Sequence, residues 1–306
     1  MHTVILLAQY HMKPYNLMTP KGGTRMIYYF SGTGNSLAIA KELGRLLNES
    51  IAPIGPRDTR PLFVRDAVCI IVAPIHNYDI PPTVKSFIAR LWAPDGDPYF
   101  AMLINYGGFL GNGPASARRV FEKQKLTLAY NRPVVVPDNA GPIIRRPYDL
   151  SSLATLPQRL ADIADDIRQR KTYRGDEPYN ELLALKTKAA EVFLSSHATK
   201  LYAQKSLCIG CERCVKLCPV GNVKVTDLAD AVTPVRIAVA DKESATPTTN
   251  AKQPKTTKRI TFGNNCIHCL ACVQWCPVGA IRMGYISFTN RQYTNPDITP
   301  QELFRR

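Results

Sequence analysis

Four closely spaced cysteines followed by a proline occur twice in this 306-residue chain. The first run begins at Cys208 and reads CIGCERCVKLCP, and the second begins at Cys266 and reads CIHCLACVQWCP. Both follow the pattern C-x2-C-x2-C-x3-C-P, so the two runs contain eight of the nine cysteines. Thiols crowded at this spacing favour metal binding over disulfide pairing in a reducing compartment. We therefore expect each segment to fold as a loop around a metal centre.

The spacing also indicates which metal centre. Three thiolates on one tight loop can hold three irons of a 4Fe-4S cubane, and the fourth ligand then comes from elsewhere in the chain. A structural zinc site more commonly uses two separated CxxC pairs, so the pattern favours iron–sulfur clusters over zinc. The ninth cysteine, Cys69, lies in an apolar run and is predicted to belong to a hydrophobic core.

The two runs resemble the motifs of bacterial two-cluster ferredoxins. In that family the fourth cysteine of each run binds the cluster of the other run. The resemblance implies a first cluster held by Cys208, Cys211, Cys214 and Cys276. It implies a second cluster held by Cys266, Cys269, Cys272 and Cys218. Two clusters arranged in this way form a short conductor, which an electron can enter at one end and leave at the other.

The N-terminal half alternates short apolar runs with helical patterns. Strands are predicted at 26–30, 51–54, 68–73, 99–106 and around 133–136. Helices are predicted at 36–50, 83–92, 115–124 and 152–170, and Asn35 or Ser36 is expected to cap the first of them. This alternation predicts a parallel sheet with helices on both faces and with ligands at the carboxyl ends of the strands.

The first strand and helix are joined by the sequence SGTGNS, residues 31–36. A loop rich in glycine and hydroxyl groups before a helix N-terminus can bind phosphate through convergent N–H groups. The loop lacks both the Walker lysine and the Rossmann glycine fingerprint. The simpler alternative is a turn with no ligand.

The loop resembles the first loop of flavodoxins, which wraps the phosphate of flavin mononucleotide (FMN). The resemblance implies phosphate contacts from Ser31, Gly32, Thr33, Gly34, Asn35 and Ser36. The second and third loops of that family flank the flavin ring, which implies ring contacts from Pro74, Ile75, His76, Tyr78, Asn105, Tyr106, Gly107 and Gly108. Tyr78 and Tyr106 are the stacking candidates, because flat aromatic rings suit a flavin. His76 and Asp79 depart from the usual form of the second loop.

From Met26 onward the chain resembles the family of flavodoxin-ferredoxin fusions. The implied fold class is α/β, with a flavodoxin-like doubly wound parallel sheet followed by a small α+β ferredoxin domain that carries two 4Fe-4S motifs. The predicted segments are an extension at 1–25 that is disordered or precedes the true start, an FMN-binding domain at 26–174, a helical connector at 175–206, a two-cluster domain at 207–288 with a flexible insertion at 241–259, and a C-terminal tail at 289–306.

The resemblance implies an intracellular, cytoplasmic electron carrier that passes electrons between FMN, two 4Fe-4S clusters and a redox partner. Two alternatives remain open: a flavin-dependent reductase acting on its own small substrate, and a redox-sensing regulator. The net charge is +15, which suggests an acidic redox partner or peripheral contact with a membrane surface. No apolar run is long enough for a transmembrane segment, and no nucleic-acid-binding pattern is evident.

Overall fold

The structure is a computed structural model that describes residues 26–55, 61–64, 68–93, 96, 98–140, 149–175, 177–194, 200–227, 258–284, 286–287 and 292–304. The predicted N-terminal extension and residues 241–257 of the predicted insertion lie outside this part. No helix among the described residues is long and apolar enough to cross a membrane.

The strands are β1 (Met26–Tyr29), β2 (Ser50–Pro53), β3 (Leu62–Phe63), β4 (Val68–Pro74), β5 (Leu91–Trp92), β6 (Tyr99–Tyr106), β7 (Leu128–Val135), β8 (Leu201–Ala203), β9 (Val223–Asp227), β10 (Lys258–Phe262), β11 (Ile281–Met283) and β12 (Ile286–Ser287). The helices are α1 (Asn35–Leu47), α2 (Pro82–Ile88), α3 (Gly113–Lys123), α4 (Ser151–Ala154), α5 (Leu156–Arg168), α6 (Glu181–Leu194), α7 (Arg213–Leu217), α8 (Ala271–Gln274) and α9 (Pro300–Leu303).

Five parallel strands form the central sheet in the order β2-β1-β4-β6-β7. Counted along the chain within this sheet, the order is 2-1-3-4-5, which is the flavodoxin-like arrangement. The inner strand β4 is continuously apolar and buried, because helices cover both faces of a doubly wound sheet. The predicted α/β fold is therefore present in the N-terminal half.

The direction of the crossovers sets the positions of the helices. α1 joins β1 to β2 in one direction across the sheet, whereas α2 and α3 lie in connections that run the opposite way. Right-handed crossovers then place α1 on one face and α2 and α3 on the other. α5 follows β7 and packs against α1. The loops after β1, β4, β6 and β7 consequently gather at one edge of the sheet.

The C-terminal part is built from small antiparallel sheets and two short helices. β9 pairs with β10, and β11 lies between β8 and β12. α7 and α8 each lie inside one cysteine run and pack against each other. The last helix, α9, begins with a capping box in which Thr299 and Glu302 bind each other's backbone N–H groups.

Several elements differ from the sequence prediction. The predicted helix at 83–92 ends at Ile88, and Leu91 and Trp92 form β5, which pairs with β3. The predicted helix at 152–170 is split into α4 and α5, with Pro157 in the first turn of α5. Residues 201–203, assigned to the connector, form β8 and pair with β11. The predicted cap is also wrong, because Gly34 caps α1 without a side-chain hydrogen bond.

The buried core should dominate the stability of the N-terminal half. Ile70 is 0% exposed in the middle of β4, whereas Leu182 on α6 is 62% exposed. We expect Ile70→Ala to lower the free energy of unfolding by about 2–5 kcal/mol, because it leaves a cavity. Leu182→Ala should change it by less than about 0.5 kcal/mol. Denaturant unfolding of both variants tests this, and similar losses would contradict the burial assigned to β4.

Candidate functional site

The eight clustered cysteines line two separate cavities. The first is lined by Cys208, Cys211, Cys214 and Cys276. The second is lined by Cys218, Cys266, Cys269 and Cys272. Each cavity thus combines three cysteines of one run with the fourth cysteine of the other run, which is the grouping that the ferredoxin resemblance implies. Among the described residues, no three His, Cys, Asp or Glu side chains converge on a site for a single metal ion.

The two cysteine loops repeat each other in backbone conformation. Gly210 and Glu212 have positive φ in the first loop, and His268 and Leu270 have positive φ at the matching positions of the second. The fourth cysteines are also equivalent, because the Asn222 N–H lies 3.1 Å from Cys218 Sγ and the Ala280 N–H lies 3.2 Å from Cys276 Sγ. These N–H groups point at sulfur, as donors to metal-bound thiolates do.

Burial makes the free thiols poor acids. Desolvation, reinforced by neighbouring thiols, raises the pKa of Cys214 to about 12 and raises the pKa of Cys272 well above its usual value. The pKa of Cys266 is raised mainly by burial as well, although an N–H contact from His268 opposes the shift. Thiolates in these cavities therefore require a compensating positive charge, which ligated iron provides.

The glycine-rich loop, residues 31–36, has the geometry of an anion-binding turn. Gly34 adopts a φ of 105°, and its N–H contacts Ser31 Oγ at 3.1 Å. In the described part of the chain, the backbone N–H groups of Thr33, Asn35 and Ser36 have no hydrogen-bond acceptor. Unsatisfied N–H groups at a helix N-terminus are what a phosphate requires, so these residues fit the phosphate of a flavin nucleotide.

The second cysteine loop lies directly on this glycine-rich loop. A Cβ atom at Gly32 would overlap with the carbonyl oxygen of Cys269, and the indole N–H of Trp275 donates to the Gly32 carbonyl at 3.1 Å. Trp275 and Cys269 are buried together with the core of the N-terminal half. The absence of a side chain at position 32 thus permits close contact between the two halves of the protein.

The C-terminal segment, residues 292–304, covers the other side of the loop. The Asn295 N–H donates to the Thr33 carbonyl at 2.9 Å, and the Tyr293 hydroxyl donates to Asn35 Oδ1 at 2.7 Å. The Asn35 side chain also donates to the Pro137 carbonyl at 3.1 Å. The carboxamide of Asn35 is therefore engaged within the protein, and the Ser36 hydroxyl donates to Asn105, so backbone N–H groups are the donors left for an anion.

The second predicted ring loop is a tight turn. His76 and Asp79 exchange backbone hydrogen bonds, and Asn77 and Tyr78 between them have φ values of 48° and 68°. Positive φ at both central residues is typical of a type I′ turn. The Asp79 carboxylate is buried and bonded to Lys85 at 2.5 Å, so its charge is balanced. Pro74 and Ile75 immediately precede the turn and are partly buried.

The third predicted loop packs against the second. The Asn112 N–H donates to the Tyr78 carbonyl at 2.7 Å, and the Tyr78 ring meets Phe109 edge-on at 5.5 Å. Asn105 is buried and accepts from the Ser36 hydroxyl at 2.7 Å, which joins this loop to the glycine-rich loop. Tyr106 ends β6 and is partly buried. Gly107 lies against Asp138, and Gly108 lies within van der Waals reach of the same side chain.

The sequence analysis missed the residues that cover the glycine-rich loop. Asn139 approaches Thr33 Oγ1 at 3.4 Å, and the Gln274 side chain donates to the Asn139 carbonyl and accepts from Tyr293 N–H. Tyr293 and Asn295 belong to a stretch that was assigned to a tail. No local pattern marks any of these residues, since their role depends on how the two halves pack.

Comparisons with known proteins agree with this division. Residues 207–280 match the family model of the 4Fe-4S dicluster domain. The chain joins a flavodoxin-like fold to a 4Fe-4S dicluster domain. A search of curated proteins found no matching sequence.

Solved flavodoxins align with the N-terminal half at low similarity. An archaeal flavodoxin is 16% identical, with 47% of this chain and 99% of that chain covered and a TM-score of 0.32. A WrbA-like flavodoxin from Agrobacterium tumefaciens is 15% identical, with coverages of 49% and 100% and a TM-score of 0.33. A variant flavodoxin of Fusobacterium nucleatum bound to FMN is 13% identical, with coverages of 49% and 97% and a TM-score of 0.34. The strand order, rather than these values, carries the fold assignment.

Substitution of Gly32 should loosen the contact between the two halves. In Gly32→Ala the added methyl group collides with the Cys269 carbonyl, and overpacking of this kind costs about 1–3 kcal/mol. Gly55→Ala is the matched control, since none of the described residues places an atom within 4 Å of a Cβ there. We expect a lower melting temperature and faster proteolysis between the halves for Gly32→Ala alone. Equal behaviour of the two variants would contradict the contact.

His76 should make the protein sensitive to acid. Its Nδ1 atom is buried and has no partner among the described residues, and desolvation, with a smaller contribution from His268, lowers its pKa to about 4. Between pH 6.5 and 4, His76 is protonated in the unfolded chain but stays neutral in the folded protein. The free energy of unfolding therefore falls as the pH drops towards 4, by at most about 3 kcal/mol. His76→Gln should flatten melting temperature against pH in this window. An unchanged slope would show that other groups control it.

Proposed function

We propose that this protein transfers electrons, using two 4Fe-4S clusters in its C-terminal part and FMN at the glycine-rich loop. The observation that carries the proposal is the grouping of eight cysteines into two cavities, each of which draws on both runs. Four thiols in an apolar cavity match the ligand requirement of a cubane cluster, and one-electron transfer is the chemistry that such a cluster supplies.

The chain's own residues would hold and shield the clusters. The first would be bound by Cys208, Cys211, Cys214 and Cys276, and the second by Cys266, Cys269, Cys272 and Cys218. Backbone N–H groups of Asn222 and Ala280 would donate to the sulfurs of Cys218 and Cys276. Apolar side chains such as Val223 and Ile281 line the cavities and exclude water, which influences the potential at which a cluster is reduced.

The support for FMN is the flavodoxin-like strand order together with the N–H groups of Thr33, Asn35 and Ser36, which have no acceptor among the described residues. Bound flavin would exchange electrons singly or in pairs and so connect two-electron and one-electron reactions. Ser31, Thr33 and Ser36 carry hydroxyl groups in the loop. The C-terminal segment and Trp275 would exclude water from a phosphate held there, because they cover the loop from two sides.

The electron carrier is favoured over the alternative functions. A flavin-dependent reductase requires an accessible proton donor near its substrate; His76 Nδ1 is buried, whereas Tyr78 is 41% exposed and could serve. The electron carrier is favoured because the two four-cysteine cavities supply one-electron chemistry that a reductase acting at the flavin alone does not need. A redox protein is the partner that fits an electron carrier, and we place the protein in the cytoplasm because free clustered thiols persist there. We keep the segments proposed from the sequence as a proposal, and we add β8 to the cluster domain and residues 292–304 to the contact between the two halves.

Anaerobic purification with iron, sulfide and flavin analysis tests the proposal. We expect about eight irons and eight sulfides per chain, because two cubanes are bound, together with one FMN. Cys69→Ala is the control, since Cys69 lies in β4 away from both cavities and its loss should leave all iron in place. Full iron without flavin after reconstitution would remove FMN from the proposal, and absence of both would overturn it.

The shared ligands can be tested by pairs of cysteine variants. Cys276→Ser and Cys211→Ser lie in different runs but line the same cavity. Both should lose the same cluster and leave matching electron paramagnetic resonance spectra. Cys218→Ser and Cys269→Ser should leave the other spectrum. Spectra that instead group the variants by sequence run would show that the runs do not exchange ligands.

A further inference from the structure

The two cysteine loops have the same conformation but opposite surroundings. In the first loop Ile209 is 42% exposed and Cys211 is exposed. In the second loop the residue matching Cys211 is Cys269, which is buried against Gly32, and Ile267, which matches Ile209, is partly buried against the N-terminal core. The N-terminal half therefore covers one end of the repeat. The other end, at the first cavity, faces solvent.

We propose that this open end is the docking surface for an acidic one-electron redox protein. We define the docking face as Ile209 and Cys211 together with three cations of the same chain segment: the exposed Lys205 and Lys216, and Arg213, which lines the first cavity with Cys211. The proposal rests on the proposed function, because it requires a cluster in the first cavity. It adds a direction of electron transfer: the second cavity exchanges electrons with the N-terminal half, and the first exchanges them with the external partner.

Charge identifies the partner. In the described residues 200–227 and 258–284, Lys and Arg outnumber Asp and Glu by eight to two: Lys200, Lys205, Arg213, Lys216, Lys224, Lys258, Arg259 and Arg282 against Glu212 and Asp227. Glu212 is neutralised by its ion pair with Lys258. Among the described residues, Lys205, Arg213 and Lys216 form no ion pair, and Lys216 interacts with the Glu212 carboxylate only at longer range. The face thus presents net positive charge and attracts an acidic surface.

The shape of the face also suits transient docking. Ile209 and the exposed Cys211 provide a small apolar centre, and Arg213 lies beside Cys211 at the first cavity. Lys205 and Lys216 add exposed positive charge in the same segment, which suits an interface with an apolar core and a polar rim. The Arg213 guanidinium donates a hydrogen bond to the Trp275 carbonyl at 3.3 Å, and the Lys216 ammonium lies 6.0 Å from the centre of the Phe304 ring. In each encounter one electron leaves the reduced protein and one electron reduces the partner, with no bond made or broken.

The test uses the full chain loaded with clusters and a plant-type ferredoxin, which is acidic, as the one-electron acceptor. The double variant Lys205→Glu, Lys216→Glu reverses two charges on the docking face and leaves every cysteine unchanged. The matched control is Lys123→Glu, Lys188→Glu, which makes the same net change at exposed positions on α3 and α6. Stopped-flow absorbance gives the second-order rate constant at about 0.01 M and about 0.15 M salt.

We expect the docking-face variant to react about tenfold more slowly than wild type at low salt, and the difference to shrink at higher salt. The control should match wild type. Equal rates for the two variants, with iron and sulfide unchanged, would overturn the docking proposal alone, whereas wild-type protein without iron would overturn the proposed function. Unchanged rates combined with lost binding to phosphatidylglycerol vesicles would assign the face to a membrane and also overturn the proposal.

Discussion

The packing of the two halves depends on the close approach of the Cys269 carbonyl to Gly32, which has no side chain. The Cys269 carbonyl occupies the space that a side chain at Gly32 would fill, and Trp275 donates to the carbonyl of the same glycine. A cysteine loop can come this close to the end of β1 only because position 32 has no Cβ atom. Both halves of the chain are fixed through this contact, and the C-terminal segment then closes over the neighbouring residues Gly34 and Asn35.

The glycine-rich loop, residues 31–36, has two roles: it can bind an anion, and it packs against the C-terminal part. The loop, rich in glycine and hydroxyl groups, is expected to bind phosphate through convergent N–H groups, and Gly34 adopts the left-handed backbone of such a turn. Gly32 and Gly34 are also required by packing, because Cys269 and Asn295 lie where their side chains would be. The backbone N–H groups remain suited to an anion, whereas the Asn35 side chain holds Tyr293. Phosphate binding and interdomain packing therefore use different atoms of one short segment.

The regular elements were predictable because their signal is local. β6 has the predicted limits, since seven of its eight residues are apolar or aromatic and only Asn105 is not. The prediction of a helix to residue 92 was wrong at its C-terminal end, because Leu91 and Trp92 pair as a strand with Leu62 and Phe63. The resemblance to two-cluster ferredoxins, rather than any local pattern, implied the grouping of cysteines in which they line the two cavities. The residues that cover the glycine-rich loop, such as Tyr293 and Asn295, were not predictable, because only tertiary packing brings them there.

Duplication alone would make the two cluster sites equivalent, and several features are indeed equal. The left-handed residues match in position, and the N–H contacts to Cys218 and Cys276 differ by only 0.1 Å (3.1 and 3.2 Å). Any difference between the sites must then arise outside the repeat, from exposure and nearby charge. The first cavity is bordered by Glu212 and Arg213, whereas the second is lined almost entirely by apolar groups. Extra negative charge costs less beside water and an arginine than in an apolar shell. The N-terminal half covers the second cysteine loop and leaves the first exposed. It therefore makes the surroundings of two otherwise equivalent cluster sites different.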